Sequence, residues 1–333
     1  METTSKTDDP EEFIMSSMAY ATDESIETLH IEEFAKLLGT DTNDIQDKCE
    51  ELLRTYDFSY AVMQTDKYEN TLLEVLKVID SANLSVSGEE RKKDWELGWS
   101  ENLTRFVGNN YDISALIPRY MHKFRGRRLF SQYVHALDDN FEVNFYTVYR
   151  HYLFKKYLRD YDYVYEFGCG TGYNLVIMGE LFPEKRLIGL DWADSSVELV
   201  NKIASVYNSN LSGHNFDYYD PDYDLDIPGN SAFITLNSME QLGTNYHSFL
   251  KFILKKKPAI CVNSEPILEL YDQNNLLDYL AIRYHTTRNY LNGYLHALEE
   301  MNRAGRIELL KVQRVRFGNL FHDGYSFVVW KII

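Results

Sequence analysis

A chain of 333 residues with ordinary globular composition is long enough for a large core and two domains. Its formal net charge of −17 repels a phosphate backbone, so nucleic acid is not an expected partner. No run of ~18 apolar residues exists to give a membrane span, and the three scattered cysteines (Cys49, Cys169, Cys261) form neither a disulfide framework nor a zinc spacing, which points to a reducing, cytoplasmic setting.

The start, METTSKTDDPEEF, lacks the basic and apolar regions of a secretory signal. Residues 1–22 are polar and acidic, with too little apolar surface to offset the entropy of ordering, and are expected as a flexible tail. From Asp23 to about Tyr120 the pattern is helical. IETLHIEEFAKLLG stops at Gly39, and Thr42-Asn43-Asp44 can cap NDIQDKCEELLRTY. ENTLLEVLKVIDSA and EERKKDWELGWSENLTRFVG follow without strand alternation. The basic run HKFRGRR (His122–Arg128) reads as a solvated loop. These features make residues 23–143 a helical N-terminal domain.

Residues 144–333 read differently. NFYTVYRHYLFKKYL (144–158) is a leading helix. The expected strands are YVYEF (163–167), RLIGLD (186–191), HNFDYYD (214–220), SAFITLN (231–237) and PAICVN (258–263), with helices at 172–182, 195–208 and 245–256 between them. One long helical pattern covers Asn274–Arg303, and RIELLKVQRVRF and DGYSFVVWKII close the chain as two strands around the turn GNLFHDG. Strands alternating with helices predict an α/β fold with a Rossmann-like, mostly parallel sheet of seven strands, the last two forming an antiparallel pair at one edge.

The first of these strands runs into EFGCGTG and a helix. Gly168, Gly170 and Gly172 allow positive φ and close approach of a ligand, and the helix behind them offers free N–H groups. A dinucleotide site needs G-x-G-x-x-G, but Tyr173 stands where the third glycine would be. Glu166, two residues before Gly168, would repel a diphosphate and suits an ammonium or sulfonium instead. E-F-G-C-G-T-G, followed by a helix and GLDW, resembles motif I and the second-strand acid of the class I S-adenosylmethionine-dependent methyltransferases, over roughly residues 145–333. The resemblance implies a methyltransferase core with S-adenosyl-L-methionine as cofactor. The turn Gly168-Cys169-Gly170 to Gly172 would then face the methionine part with Glu166 close by. Asp191 would take the ribose hydroxyls and Trp192 pack on the adenine. Asp220 would receive the adenine amino group, and Asn237 reach the methionine carboxylate or the transfer site.

Methyl transfer to a hydroxyl requires an aligned acceptor, excluded water and a base. Polar residues that follow strands four and five or lie near the last turn are the candidates. His285, His322 and Glu240 are read as catalytic, although any single histidine is more often a satisfied structural residue. Gln241, His247 and Arg288 are read as substrate contacts, with His285 and Arg288 on one helix face. No ligand spacing supports a metal, and none is expected. Relatives of this kind often use an N-terminal helical segment as a lid or a homodimer contact. YDISALIPRYMH (111–122) and the aromatic stretch 130–152 are placed to form it, with Arg119, Tyr146 and Tyr149 as substrate contacts. The expected activity is methylation of a small polar metabolite, on oxygen, of the sugar or natural-product kind. The alternatives are N-methylation of a peptide or amine and a non-catalytic cofactor-binding subunit. SMEQLG carries one glutamate where the acidic loop of protein arginine methyltransferases has two.

Overall fold

The computed structural model describes residues 25–118, 121 and 125–333, so the expected tail at 1–22 and the candidate Arg119 lie outside the described residues. The N-terminal region contains β1 (Ile26–Thr28), α1 (Ile31–Leu38), α2 (Thr42–Thr55), β2 (Ser59–Val62), α3 (Thr65–Ile79), α4 (Lys92–Gly108), β3 (Gly126–Leu129), β4 (Gln132–Ala136) and the long α5 (Phe141–Tyr157). Gly39 ends α1 in the left-handed conformation. Asp41, one residue before the expected cap, caps α2 by accepting the Asp44 amide.

The helices lie where their periodicity places them, but short strands interrupt the region, contrary to expectation. β2 pairs antiparallel with β1 on one side and β4 on the other. Three to five residues are too few for alternation to show, so neighbours rather than sequence make these segments strands. The basic run is also corrected. Arg127 and Arg128 belong to β3 and are buried, rather than lying in a solvated loop, and His122–Phe124 are outside the described residues.

The second region adds β5 (Tyr163–Phe167), α6 (Tyr173–Leu181), β6 (Arg186–Asp191), α7 (Asp194–Tyr207), β7 (Leu211–Asn215), β8 (Ser231–Leu236), α8 (His247–Lys256) and β9 (Ile260–Ser264). Then come α9 (Leu276–Arg288), α10 (Tyr294–Arg303), β10 (Ile307–Gln313), β11 (Phe317–Gly318) and β12 (Phe327–Ile332). Seven strands form one sheet in the order β10-β12-β9-β8-β5-β6-β7, parallel from β7 to β9 and antiparallel at β12. This is the expected Rossmann-like core. The chain leaves β5 in one direction to β6 and β7, and returns to the other side with β8 and β9. The crevice beyond β5 and β8 is therefore the switch point where such sheets hold ligands.

Two elements differ from the expected ones. The third strand ends at Asn215 rather than at residue 220. The long helix is two helices: Asn289, with φ 52°, and Gly293, with φ 88°, turn the chain between α9 and α10.

The two regions are sewn together by β11, which follows β10 and pairs with β3, so it completes a second sheet ordered β1-β2-β4-β3-β11. α5 is buried along most of its length, as a helix wrapped on all sides must be. Its Phe145 ring lies 3.8 Å from that of Phe317, and Tyr149 packs against Phe327. A buried charge cluster fixes the same junction. Arg314 donates to both carboxylate oxygens of Asp278 at 2.6 Å and to Asp323 at 2.9 Å, and Arg128 of β3 donates to Asp278 at 3.0 Å. Against the burial that would raise it, Arg314 holds the Asp278 carboxyl below its ordinary value.

Candidate cofactor and acceptor site

A cavity of about 410 Å³ opens at the switch point, within the usual size of small-molecule sites. One half is built on the glycine turn. Gly168 and Gly170 have φ 68° and 52°. A Cβ on Gly168 would strike Ser238, and one on Gly170 would stand 2.9 Å from the Trp99 ring, so neither position accepts a side chain. Asp191, at the end of β6, accepts the amides of Gly170 at 2.9 Å and Ala193 at 3.0 Å. Burial pushes its carboxyl up to about 6 despite these bonds.

Beneath the turn lies Glu166, fully buried. Asn174 Nδ2 donates to its Oε1 at 2.6 Å, and Arg150 in turn donates to Asn174 Oδ1 at 2.9 Å. Glu166 Oε2 has no partner, and burial raises the carboxyl to about 8. A buried acid with one bare oxygen beside a glycine turn fits a ligand that brings a positive group. These residues accordingly fit the amino-acid end of S-adenosylmethionine. Trp192 lines the cavity and stacks with Tyr219, their centroids 6.2 Å apart, with Lys92 5.4 Å above the indole. Asn237, left-handed with φ 53°, lines it from the end of β8.

The other half is assembled from distant segments: Arg127 of β3, Glu142 and Tyr146 of α5, Glu240 and Gln241, Tyr284 and Arg288 of α9, and Asn319, His322 and Tyr325 around the last turn. Arg127 and Glu142 form an ion pair at 3.0 Å, and Tyr325 donates to the same carboxylate at 2.9 Å. Arg288 is held by Ser85 Oγ at 2.8 Å and Tyr290 at 3.0 Å. Glu265, buried at the end of β9, accepts the amides of Ser238 and Glu240 and so fixes the loop that carries Glu240. Burial raises its carboxyl to about 8.

His322 Nδ1 lies 3.0 Å from His285 Nε2. Burial lowers both imidazoles, His285 to about 3 and His322 well below its ordinary value, where His285, Arg128 and Arg288 add to the effect. The pair is thus neutral near pH 7, and one ring donates to the other.

Cys169, Asp191, Trp192, Asn237, Glu240, Gln241, His322, Arg288 and Tyr146 all line the cavity, with Gly168 and Gly170. Other expected contacts are not in its wall. His285 sits behind His322 and touches it without lining the cavity, and Tyr149 is turned to Ser264 Oγ at 2.6 Å. His247 is exposed at the start of α8, where the strand-four loop has already turned away. Asp220 is exposed and off the wall because β7 ends five residues earlier, and Phe216 and Tyr218 take the wall instead. Glu166 and Gly172 stand behind the lining. The expected segment 111–152 supplies Pro118, Met121, Arg127, Glu142 and Tyr146 to the cavity, while the wall beside the glycine turn comes from α4. Trp95 and Trp99 of α4, with Arg91 just before it, are lining residues the reading missed. Their i,i+4 spacing was a usable signal, since it puts both indoles on one helix face.

No protein-family model matches the chain, and no curated protein resembles it in sequence. Solved structures show partial likenesses to it. They include a geranyl diphosphate methyltransferase in complex with SAM, 12% identical over 59% of this chain and 92% of that one, with a TM-score of 0.42. PigF with SAH is 10% identical over 79% of this chain and 69% of that one, with a TM-score of 0.42. A SAM-dependent methyltransferase from Aquifex aeolicus is 14% identical over 51% and 82%, with a TM-score of 0.37. At these values the likeness carries no conclusion about this chain.

Proposed function

We propose that the protein is an S-adenosylmethionine-dependent methyltransferase that acts on a hydroxyl of a small polar acceptor. The observation that carries this reading is the glycine turn at the switch point, with Asp191 above it and the bare oxygen of Glu166 below. Asp191 would hold the ribose and Trp192 the adenine, and Glu166, behind the lining, would favour the ammonium group by its charge rather than by contact. Bound S-adenosylmethionine supplies an activated methyl group on a sulfonium.

The chain's own part is to orient the acceptor, exclude water and take its proton. Paired Arg127 and Glu142, with Glu240, Gln241, Asn319 and the tyrosines, offer donors and acceptors in balance, which suits a polyhydroxylated ligand such as a sugar over a strongly charged one. His322 is the neutral imidazole on the wall. In the tautomer in which its Nδ1–H donates to His285 Nε2, its Nε2 lone pair is free to accept the acceptor's proton. His285 acts through His322 as a positioning residue.

Calorimetry tests the cofactor half. S-adenosylhomocysteine should bind and NAD should not, and Asp191→Ala should weaken binding by about 1.5–3 kcal/mol, the scale of a hydrogen bond to a charged group. NAD binding without S-adenosylhomocysteine binding would overturn the reading. For the acceptor half, methyl-labelled S-adenosylmethionine is offered with sugars, phenols and amines. Label found only on nitrogen would sink the hydroxyl assignment.

A further inference from the structure

Helix α4 belongs to the N-terminal region, yet it lies against the glycine turn and is anchored to the loop after β7 and to the start of α7. Lys92 pairs with Asp217 at 2.5 Å beyond β7. Ser195 at the start of α7 donates its hydroxyl to the Glu96 carbonyl at 3.0 Å and its amide to the Glu96 carboxylate. Between and beyond these anchors, Trp95 and Trp99 stack on each other, with centroids 5.4 Å apart and an interplanar angle of 24°. Both line the same cavity as Gly168, Gly170, Asp191 and Trp192. Trp99 is close enough to Gly170 that a Cβ there would stand 2.9 Å from its ring. The indole N–H of Trp95 is buried without a partner. None of this is accounted for by packing in a core, since both indoles are only half-buried. Arg91 lies over the Trp95 ring at 5.3 Å, and the Trp99 ring beside Gly170 is the flat surface the pair offers to a ligand on the turn.

We infer that Trp95 and Trp99 complete the cofactor site, forming its outer wall against the adenosyl group, with the Trp95 N–H left for an acceptor oxygen of the cofactor. The inference rests on the S-adenosylmethionine reading of the turn. It makes the N-terminal region part of the cofactor site as well as of the acceptor site.

The full-length protein is titrated with S-adenosylhomocysteine by calorimetry, and the melting temperature of the ligand-free protein is measured in parallel. Trp99→Ala should raise Kd about tenfold or more, and Trp95→Phe, which keeps a ring but removes the N–H, about threefold or more. Melting of the ligand-free variants should stay within about 2 °C of the parent, as for half-exposed positions. Kd values within about twofold of the parent for both variants overturn the inference. Should Trp99→Ala melt early as well as bind weakly, Trp99→Phe decides: recovery of most of the affinity supports the wall, and no recovery overturns it. Failure of the parent to bind S-adenosylhomocysteine refutes the cofactor reading itself, an outcome distinct from equal binding by parent and variants.

Discussion

The two halves of the cavity are built on opposite plans. The cofactor half is centred on two consecutive strand ends, β5 and β6, with α4 laid beside them from the N-terminal region. Its shape depends on backbone: three glycines at positive φ and a carboxylate that accepts two amides. The acceptor half draws on β3, α5, α9 and the turn before β12, segments as far apart as Arg127 and Tyr325. Its shape depends on side chains, and its integrity on the buried charges of Arg128, Asp278, Arg314 and Asp323. A half resting on strand ends and α4, apart from the charge cluster, should tolerate damage to that cluster, whereas the half assembled around it should not.

The hardest test of this contrast is Asp278→Ala. It leaves Arg128 and Arg314 buried with Asp323 as their remaining carboxylate, and removing one partner of a buried ion pair costs about 3–5 kcal/mol. Urea unfolding should show this loss, and under conditions where the variant is still folded the acceptor half should fail before S-adenosylhomocysteine binding does. Equal loss of both would mean that the two halves are one unit.

A second test lies in the buried acids. The Glu166 carboxyl is raised to about 8 in the folded protein and is ordinary when unfolded, so the folded state holds the extra proton. Its contribution to stability is complete below the unfolded value of 4.5 and is lost as pH rises through about 8. Between pH 6 and 9 the ligand-free protein should lose on the order of 2 kcal/mol through this group. Glu166→Gln should flatten that part of the curve, as measured by urea unfolding at both pH values. Parallel curves for parent and variant would show that Glu166 is already ionised in the folded state.

The smallest effect is expected at Asp220. Exposed and away from the wall, its replacement by alanine should leave the Kd for S-adenosylhomocysteine within about twofold. A larger change would move the adenine contact back to the loop after β7.

The difference in plan also explains what could be read in advance. The sequence by itself determined the seven-stranded core and the glycine turn. β5 and β6 start and stop at the expected residues, because an apolar run ending in glycines or an acid is a local signal. The same logic failed by five residues at β7, where HNFDYYD keeps its aromatic pattern after pairing with β6 has ended at Asn215. Only the tertiary structure decided that SYAV is a strand, that Asn274–Arg303 breaks at Asn289, and that Arg127 and Arg128 turn inward to meet Glu142 and Asp278. It likewise decided that His322 faces the cavity with His285 behind it, and that Trp95 and Trp99 stand over Gly170. The physical reason is separation along the chain. Periodicity and turn chemistry act over a few residues, whereas a buried arginine is tolerable only beside a carboxylate supplied from elsewhere, as Asp278 is to Arg128 across 150 residues.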